Sequence, residues 1–188
     1  MLASKLLKEE YNLESDIDIT GIVYDSRQTV SGNVFVCIKG YEQDGHKYAK
    51  MAEEMGARLI VAEHPVDVNI PVCYVKDSRK TIARMAAEFY DNPSKKFKLL
   101  GVTGTNGKTT VTYLLRSILE SAGKKVGIIG TNENIIGDKI LLTKSTTPTT
   151  PNSLELQKLF SEMVEEEAEY VVMEVSSHAL CLDRVYGC

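Results

Sequence analysis

The sequence predicts an α/β protein in two units: a small N-terminal α/β domain, then a phosphate-loop (P-loop) domain with a mostly parallel sheet. Three observations carry this. Residues 98–121 read as a strand, a glycine-rich turn and a helix in succession. On both sides of that stretch, strand-sized apolar runs alternate with segments of helical periodicity. Between the two halves lies Asp91-Asn-Pro-Ser-Lys-Lys96, polar and proline-bearing, which reads as a linker. The first unit is therefore placed at 1–94 and the second at 97–188.

Taken in order, Ser4 to Tyr11 is predicted as a short helix capped by Ser4. Thr20–Tyr24 and Asn33–Ile38 are strands. His46 to Met55 carries Tyr48, Ala49, Ala52 and Met55 at helical spacing, and Gly56 stops it. Arg58–Ala62 and Val72–Val75 are further strands. Asp77 or Ser78 caps a helix to about Tyr90, with Ile82, Met85, Ala86 and Phe89 on its buried face. In the second unit, Lys98–Thr103 is a strand and Val111–Ser121 a helix. Lys125–Gly130 reads as a parallel-sheet strand, and Asn134–Leu142 as a hairpin turning at Gly137-Asp138. A helix from Ser153 to about Glu166 shows Leu154, Leu156, Leu159, Phe160 and Met163. Glu169–Glu174 is a buried strand that ends on a carboxylate.

Composition narrows the function. Of the 188 residues, 43% are hydrophobic and 26% charged, ordinary for a soluble globular protein. A net charge of −4 argues against a nucleic-acid partner, which calls for a basic surface. No apolar run approaches the ~20 residues of a membrane span, and the N-terminus lacks a signal-peptide core. Cys37, Cys73, Cys181 and Cys188 are widely spaced with no C-x-x-C pair, so incidental or buried thiols are expected rather than disulfides or zinc ligands. A cytoplasmic enzyme fits these features.

The chemistry centres on Gly104-Thr105-Asn106-Gly107-Lys108-Thr109-Thr110. Backbone N–H groups in such a loop, with the positive end of the following helix, form an anion cradle. Lys108 then reaches the β/γ-phosphates of a nucleotide and the Thr109 hydroxyl ligates Mg²⁺. The strict G-x-x-x-x-G-K-[ST] spacing is not met, since Val102 stands where its first glycine belongs. Glu174 ends a neighbouring apolar strand, where an acidic residue can hold the metal or simply point to solvent. His178 either contacts substrate or is structural, and His46 and His64 receive no role beyond helix-start or surface positions. Asp25-Ser-Arg27 is either a ligand mouth or a capped turn. The run 145–151, Ser145-Thr-Thr-Pro-Thr-Thr-Pro151, is either a linker or a hydroxyl-rich ligand loop.

Together these pieces resemble the Mur ligases, ATP-dependent amide-bond enzymes of peptidoglycan precursor synthesis, and within them the MurE type. The resemblance rests on the Gly104–Thr110 loop and on Asp25-Ser-Arg27 followed by Gly32-Asn-Val-Phe-Val. It extends through Gly40 with Asp44-Gly-His-Lys-Tyr48, Thr146-Thr-Pro148, and Met173-Glu-Val-Ser-Ser-His-Ala-Leu180 with Arg184-Val185. It implies ATP and Mg²⁺ as cofactors, with Lys108 and Glu174 catalytic and Thr109 and Glu174 on the metal. It implies UDP-MurNAc-L-Ala-D-Glu and a diamino acid, lysine or meso-diaminopimelate, as substrates. Tyr24, Ser26 and the Tyr41-Glu42-Gln43 loop match positions that receive the uridine end. Ser145, Thr146, Thr147, Ser176 and Arg184 match contacts to the muramoyl dipeptide. Leu182 stands where some members carry a glutamine contact. The family also carries a carbamoylated lysine, a histidine and a whole C-terminal domain downstream of the Ser-Ser-His segment. The resemblance therefore implies a truncated central domain with an open sheet edge, and a chain that binds substrate parts without turnover. The rival readings are a generic P-loop NTPase and a non-catalytic UDP-sugar- or nucleotide-binding fragment.

Overall fold

The computed structural model describes residues 1–40, 43–142 and 147–188. They divide into two compact units, Met1–Phe89 and Tyr90–Cys188.

The first unit is built on an all-parallel sheet in the order β1 (Gly21–Val23), β2 (Asn33–Val36), β3 (Leu59–Ala62), β4 (Val72–Tyr74). The central strands β2 and β3 are buried along their whole length. This explains their continuous apolar runs, because a parallel strand covered on both faces has no polar side to show. One covering layer is α2 (Ala49–Glu54), whose Ala49 and Ala52 let it lie close on Phe35 and Ile60. Elsewhere in the unit, α1 (Ala3–Leu7) packs against α3 (Ser78–Phe89).

Two local expectations are corrected here, at Ser4 and at His46, and at α3 one of the two caps expected is realised. Ser4 does not cap α1, because Ala3 N–H donates to the Ile17 carbonyl at 2.8 Å and draws the helix start one residue earlier. Ser4 then lies inside the first turn and bonds the Asp16 carboxylate through its N–H, at 3.0 Å, and its hydroxyl. The segment from His46 begins as a tight 3-10 turn, Gly45–Tyr48, since Asp44 Oδ1 accepts the His46 N–H at 3.0 Å; α-helix follows only from Ala49. At α3 the cap is Asp77, which accepts the Lys80 N–H at 3.0 Å, while Ser78 donates N–H and hydroxyl to Glu63, each at 2.8 Å.

The second unit carries a five-stranded sheet in the order β5 (Lys98–Val102), β9 (Tyr170–Glu174), β6 (Val126–Ile129), β7 (Asn134–Ile136), β8 (Lys139–Ile140). The pairs β5–β9 and β9–β6 are parallel, whereas β7 and β8 add an antiparallel hairpin at the far edge. The strand latest in sequence thus lies between the first two, and Val102 at the end of β5 sits opposite Glu174 at the end of β9. On one face α5 (Ser153–Glu165) buries Leu156, Leu159, Phe160 and Met163 against Ile129, Val171 and Met173. Each such side chain is worth about 1.5–3 kcal/mol, so α5 is firmly anchored. The helix α4 (Lys108–Ser121) fully buries only Thr112 and leaves Leu114 and Ile118 exposed. The segment expected as a linker holds a 3-10 turn, Pro93–Lys95, with Pro93 buried beside α5.

Candidate nucleotide and metal site

The site forms where β5 and β9 end side by side. Residues 103–107 leave β5 as a loop with Gly104 at φ +149° and Gly107 at φ +78°, conformations that side-chain-bearing residues seldom adopt. Gly107 is the N-cap of α4 and has no side chain to cap it, so the first-turn N–H groups face the loop's concavity. Thr105, Asn106 and Thr110 are exposed along this loop. Lys108 Nζ donates to the Gly104 carbonyl at 2.9 Å, which holds its ammonium over the loop.

Beneath the loop lies Glu174, only 1% exposed. The Thr109 hydroxyl donates to its two oxygens at 3.0 and 3.1 Å. Thr131, just past β6, donates its N–H to Oε1 at 3.1 Å and its hydroxyl to Oε2 at 3.2 Å. Gly130 makes room for this carboxylate, since a Cβ there would stand 2.4 Å from Oε1. Glu174 is therefore a buried acceptor surrounded by hydroxyl and backbone donors, and the solvent-facing alternative is excluded. Its oxygens and the Thr109 hydroxyl make a compact, oxygen-only donor set, the type that suits Mg²⁺.

A second cluster adjoins it through Thr150, which is wholly buried. The Thr150 hydroxyl donates to the Glu174 carbonyl at 2.9 Å and accepts the Ser176 N–H at 3.1 Å. The Thr150 carbonyl accepts Arg184 Nη1 at 3.0 Å and the Thr147 hydroxyl at 3.3 Å. Thus Thr147, Ser176 and Arg184, expected to act together, converge on one residue. Ser176 also caps α6 (Ser177–Cys181), its hydroxyl accepting the Ala179 N–H at 3.1 Å. The helix carries His178 on its exposed side. Ser145 and Thr146 lie outside the described residues. Thr150 was singled out only as one hydroxyl of the run 145–151, and Gly130 and Thr131 were missed from the sequence. The available signal was position alone, polar or small residues following apolar strands at the end of the sheet where ligands bind.

In the first unit, Tyr24 and Ser26 follow β1, and Ser26 opens a 3-10 turn, Ser26–Gln28, with its hydroxyl 3.4 Å from Met51 Sδ. Asp25 caps that turn and binds Arg27 through both oxygens, at 2.9 and 2.7 Å, so these two residues fold on each other. The Arg27 hydrogen bond holds the Asp25 carboxyl below its usual range. Gln43 accepts the Tyr48 hydroxyl at 2.5 Å; Tyr41 and Glu42 are outside the described residues. His46 is more than a helix-start residue. It is buried, with Nδ1 2.6 Å from Asp44 Oδ1 and Nε2 accepting the Glu63 N–H at 3.0 Å. The exposed His64 stacks on it at 3.8 Å. Asp44, His46 and His64 place ligand atoms within 4.8 Å of one another, but both ring nitrogens of His46 are already engaged. Cys37 is buried and its thiol is pushed up to about 12 by desolvation, an unreactive group.

A glycine-rich anion-cradle loop over a buried carboxylate, on a sheet preceded by a separate parallel α/β unit, defines a two-unit α/β protein of the phosphate-loop class. The family model described as Mur ligase middle domain matches residues 102–188, and that described as Mur ligase family, catalytic domain, matches 18–90. The chain belongs to the Mur ligase family. It is 50% identical over 191 residues to the UDP-N-acetylmuramoyl-L-alanyl-D-glutamate--2,6-diaminopimelate ligase of Clostridium botulinum, covering 99% of this chain and 39% of that protein. A solved structure of UDP-N-acetylmuramoyl-L-alanyl-D-glutamate--2,6-diaminopimelate ligase matches with a TM-score of 0.77 at 26% identity, over 97% of this chain and 38% of the other. The MurF ligase of Thermotoga maritima, solved in complex with ADP, matches with a TM-score of 0.52 at 28% identity, over 83% and 32%. The chain therefore spans 39% of the length of the clostridial relative. Among the described residues no helix is long and apolar enough to cross a membrane.

Proposed function

We propose that this chain supplies the UDP-sugar-binding and ATP-binding parts of a cytoplasmic ligase that adds a diamino acid to UDP-MurNAc-L-Ala-D-Glu. The names of the relatives favour 2,6-diaminopimelate over lysine as that amino acid. The observation that carries the reading is the Thr109–Glu174 pair lying directly under the Gly104–Thr110 loop.

In this reading the loop N–H groups and Lys108 hold the ATP phosphates. The substrate's D-Glu carboxylate attacks the γ-phosphorus; a carboxylate O–P bond forms, the bond to the β-phosphate oxygen breaks, and ADP leaves. The diamino acid's amine then attacks the acyl carbon, a C–N bond forms, and phosphate departs as the amine loses a proton. Lys108 stabilises charge moving onto the β/γ oxygens, so catalysis is mainly placement and electrostatics. Mg²⁺ bound by Thr109 and Glu174 would neutralise part of the phosphate charge. Thr147, Ser176 and Arg184, with Ser145 and Thr146, are assigned to the muramoyl dipeptide. Tyr24, Ser26 and the Tyr41-Glu42-Gln43 loop are assigned to the uridine end. The fork of Arg184 suits a carboxylate or phosphate partner. Closure over ATP and capture of the amino acid are assigned to a C-terminal domain of the kind the family carries downstream.

Calorimetric titration with UDP-MurNAc-L-Ala-D-Glu tests the assignment, beside Ser26→Ala and Thr146→Ala. We expect saturable binding, weakened roughly two- to tenfold by each change, the range of a lost hydrogen bond. Binding of ADP without any binding of the UDP-sugar would instead favour a generic P-loop nucleotide protein.

A further inference from the structure

The geometry points to Thr131 as a positioning residue for the metal-binding carboxylate of Glu174. This rests on the proposed metal role of Thr109 and Glu174. The Thr109 hydroxyl donates to Glu174 at 3.0 and 3.1 Å. A hydroxyl that turns its lone pair to a cation has only one proton left to offer, and Thr109 is also the expected metal ligand. Thr131 is the residue that grips both carboxylate oxygens while standing outside the loop, with its N–H on Oε1 and its hydroxyl on Oε2.

The Thr131 hydroxyl is itself held. Its one proton goes to Glu174, so at 2.9 Å it accepts from the hydroxyl of Thr149. Thr149 has φ +69°, a left-handed conformation that a β-branched residue rarely adopts. Strain of this kind persists where the surroundings over-determine it, commonly beside functional groups. The result is a directed chain, Thr149 hydroxyl to Thr131 hydroxyl to Glu174 Oε2. Gly130 completes the arrangement, because any larger residue would push the carboxylate away from Thr131. Outer partners that orient a metal ligand typically change metal affinity about 10–100-fold when removed.

The test measures ADP binding by calorimetry across a Mg²⁺ series and in EDTA, for the wild-type chain, Thr131→Val and Thr131→Ser. Thr131 is exposed, so the valine variant leaves the core intact, and melting temperatures of the three proteins check this. We expect Thr131→Val to raise the Mg²⁺ concentration for half-maximal enhancement about tenfold, with ADP affinity in EDTA unchanged and Thr131→Ser close to wild type. An unshifted Mg²⁺ dependence in Thr131→Val would overturn the inference. So would an equal loss of ADP affinity with and without Mg²⁺, which would mean that Thr131 acts on the loop. If the wild-type chain itself shows no Mg²⁺ enhancement, the metal role of Thr109 and Glu174 fails first. That outcome is recognisable because all three proteins then respond alike.

Discussion

The Thr109 hydroxyl and the Glu174 carboxylate meet at 3.0 Å although 65 residues separate them in sequence. The contact exists because β9 inserts between β5 and β6, which brings the end of a late strand beneath a loop that follows an early one. Everything proposed for catalysis depends on that insertion.

Replacing Glu174 by Gln tests the pair with little change in volume. The Thr131 N–H is a fixed donor and still finds the amide oxygen, while the two hydroxyls can rotate to accept from the new NH₂. A stability loss of about 1 kcal/mol is therefore expected. Mg²⁺ enhancement of ADP binding should vanish, because the charge that attracts the cation is gone. Calorimetry with and without Mg²⁺ reads the outcome, and retained enhancement would remove Glu174 from the metal site.

Lys108→Ala should weaken ADP binding roughly 10–100-fold, the effect of losing a charge-assisted hydrogen bond of about 1.5–3 kcal/mol. The melting temperature should hardly move, since the ammonium is held by a hydrogen bond to one loop carbonyl, that of Gly104. A large fall in melting temperature would recast Lys108 as a structural residue.

Two glycines of the second unit separate backbone economy from site geometry. In Gly130→Ala the new Cβ meets Glu174 Oε1 at 2.4 Å, a buried group held by three donors from Thr109 and Thr131. In Gly127→Ala it meets Met163 Sδ at 2.7 Å, the flexible end of a side chain that can move. We expect Gly130→Ala to cost about 1–3 kcal/mol and to impair Mg²⁺ enhancement. Gly127→Ala should cost less and leave the Mg²⁺ response alone. Urea unfolding of both variants provides the comparison.

Asp44 gives the first unit an acid-sensitive contact. Its hydrogen bond to the His46 ring, reinforced by the His46 N–H, lowers its carboxyl from the usual 3.8. A depressed folded value contributes stability fully above about pH 4, and that contribution is lost as the pH falls through the folded value. The stability gap between wild type and Asp44→Asn should therefore be constant above about pH 5 and close below pH 3.8. Chemical unfolding from pH 7 to pH 2.5 measures it. A gap that persists at the acid end would show that Asp44 acts through packing, not charge.

The sequence by itself determined the local pieces, because their signals are short-range. The Gly104–Thr110 loop, the continuous apolar runs of β2, β3 and β6, and the stripe on α5 all reflect residues within a few positions of one another. The hairpin between Asn134 and Ile140 was legible for the same reason. Helix starts were less so: α1 is set by a backbone bond from Ala3 to Ile17, and the first turn after Asp44 by a capping carboxylate that tightens it to 3-10 geometry. Only the tertiary structure decided what surrounds Glu174. Its Thr131 partner lies 43 residues away on no periodic pattern, and its Thr150 partner 24 away in a hydroxyl-rich run that carries no mark of which strand it will meet. Strand order is likewise a matter of long-range pairing, and a run such as Tyr170–Glu174 carries no mark of which neighbours it will take. Periodicity tells a segment which face to bury, but the burial of a charged carboxylate requires donors, and those are supplied only when distant strands close around it.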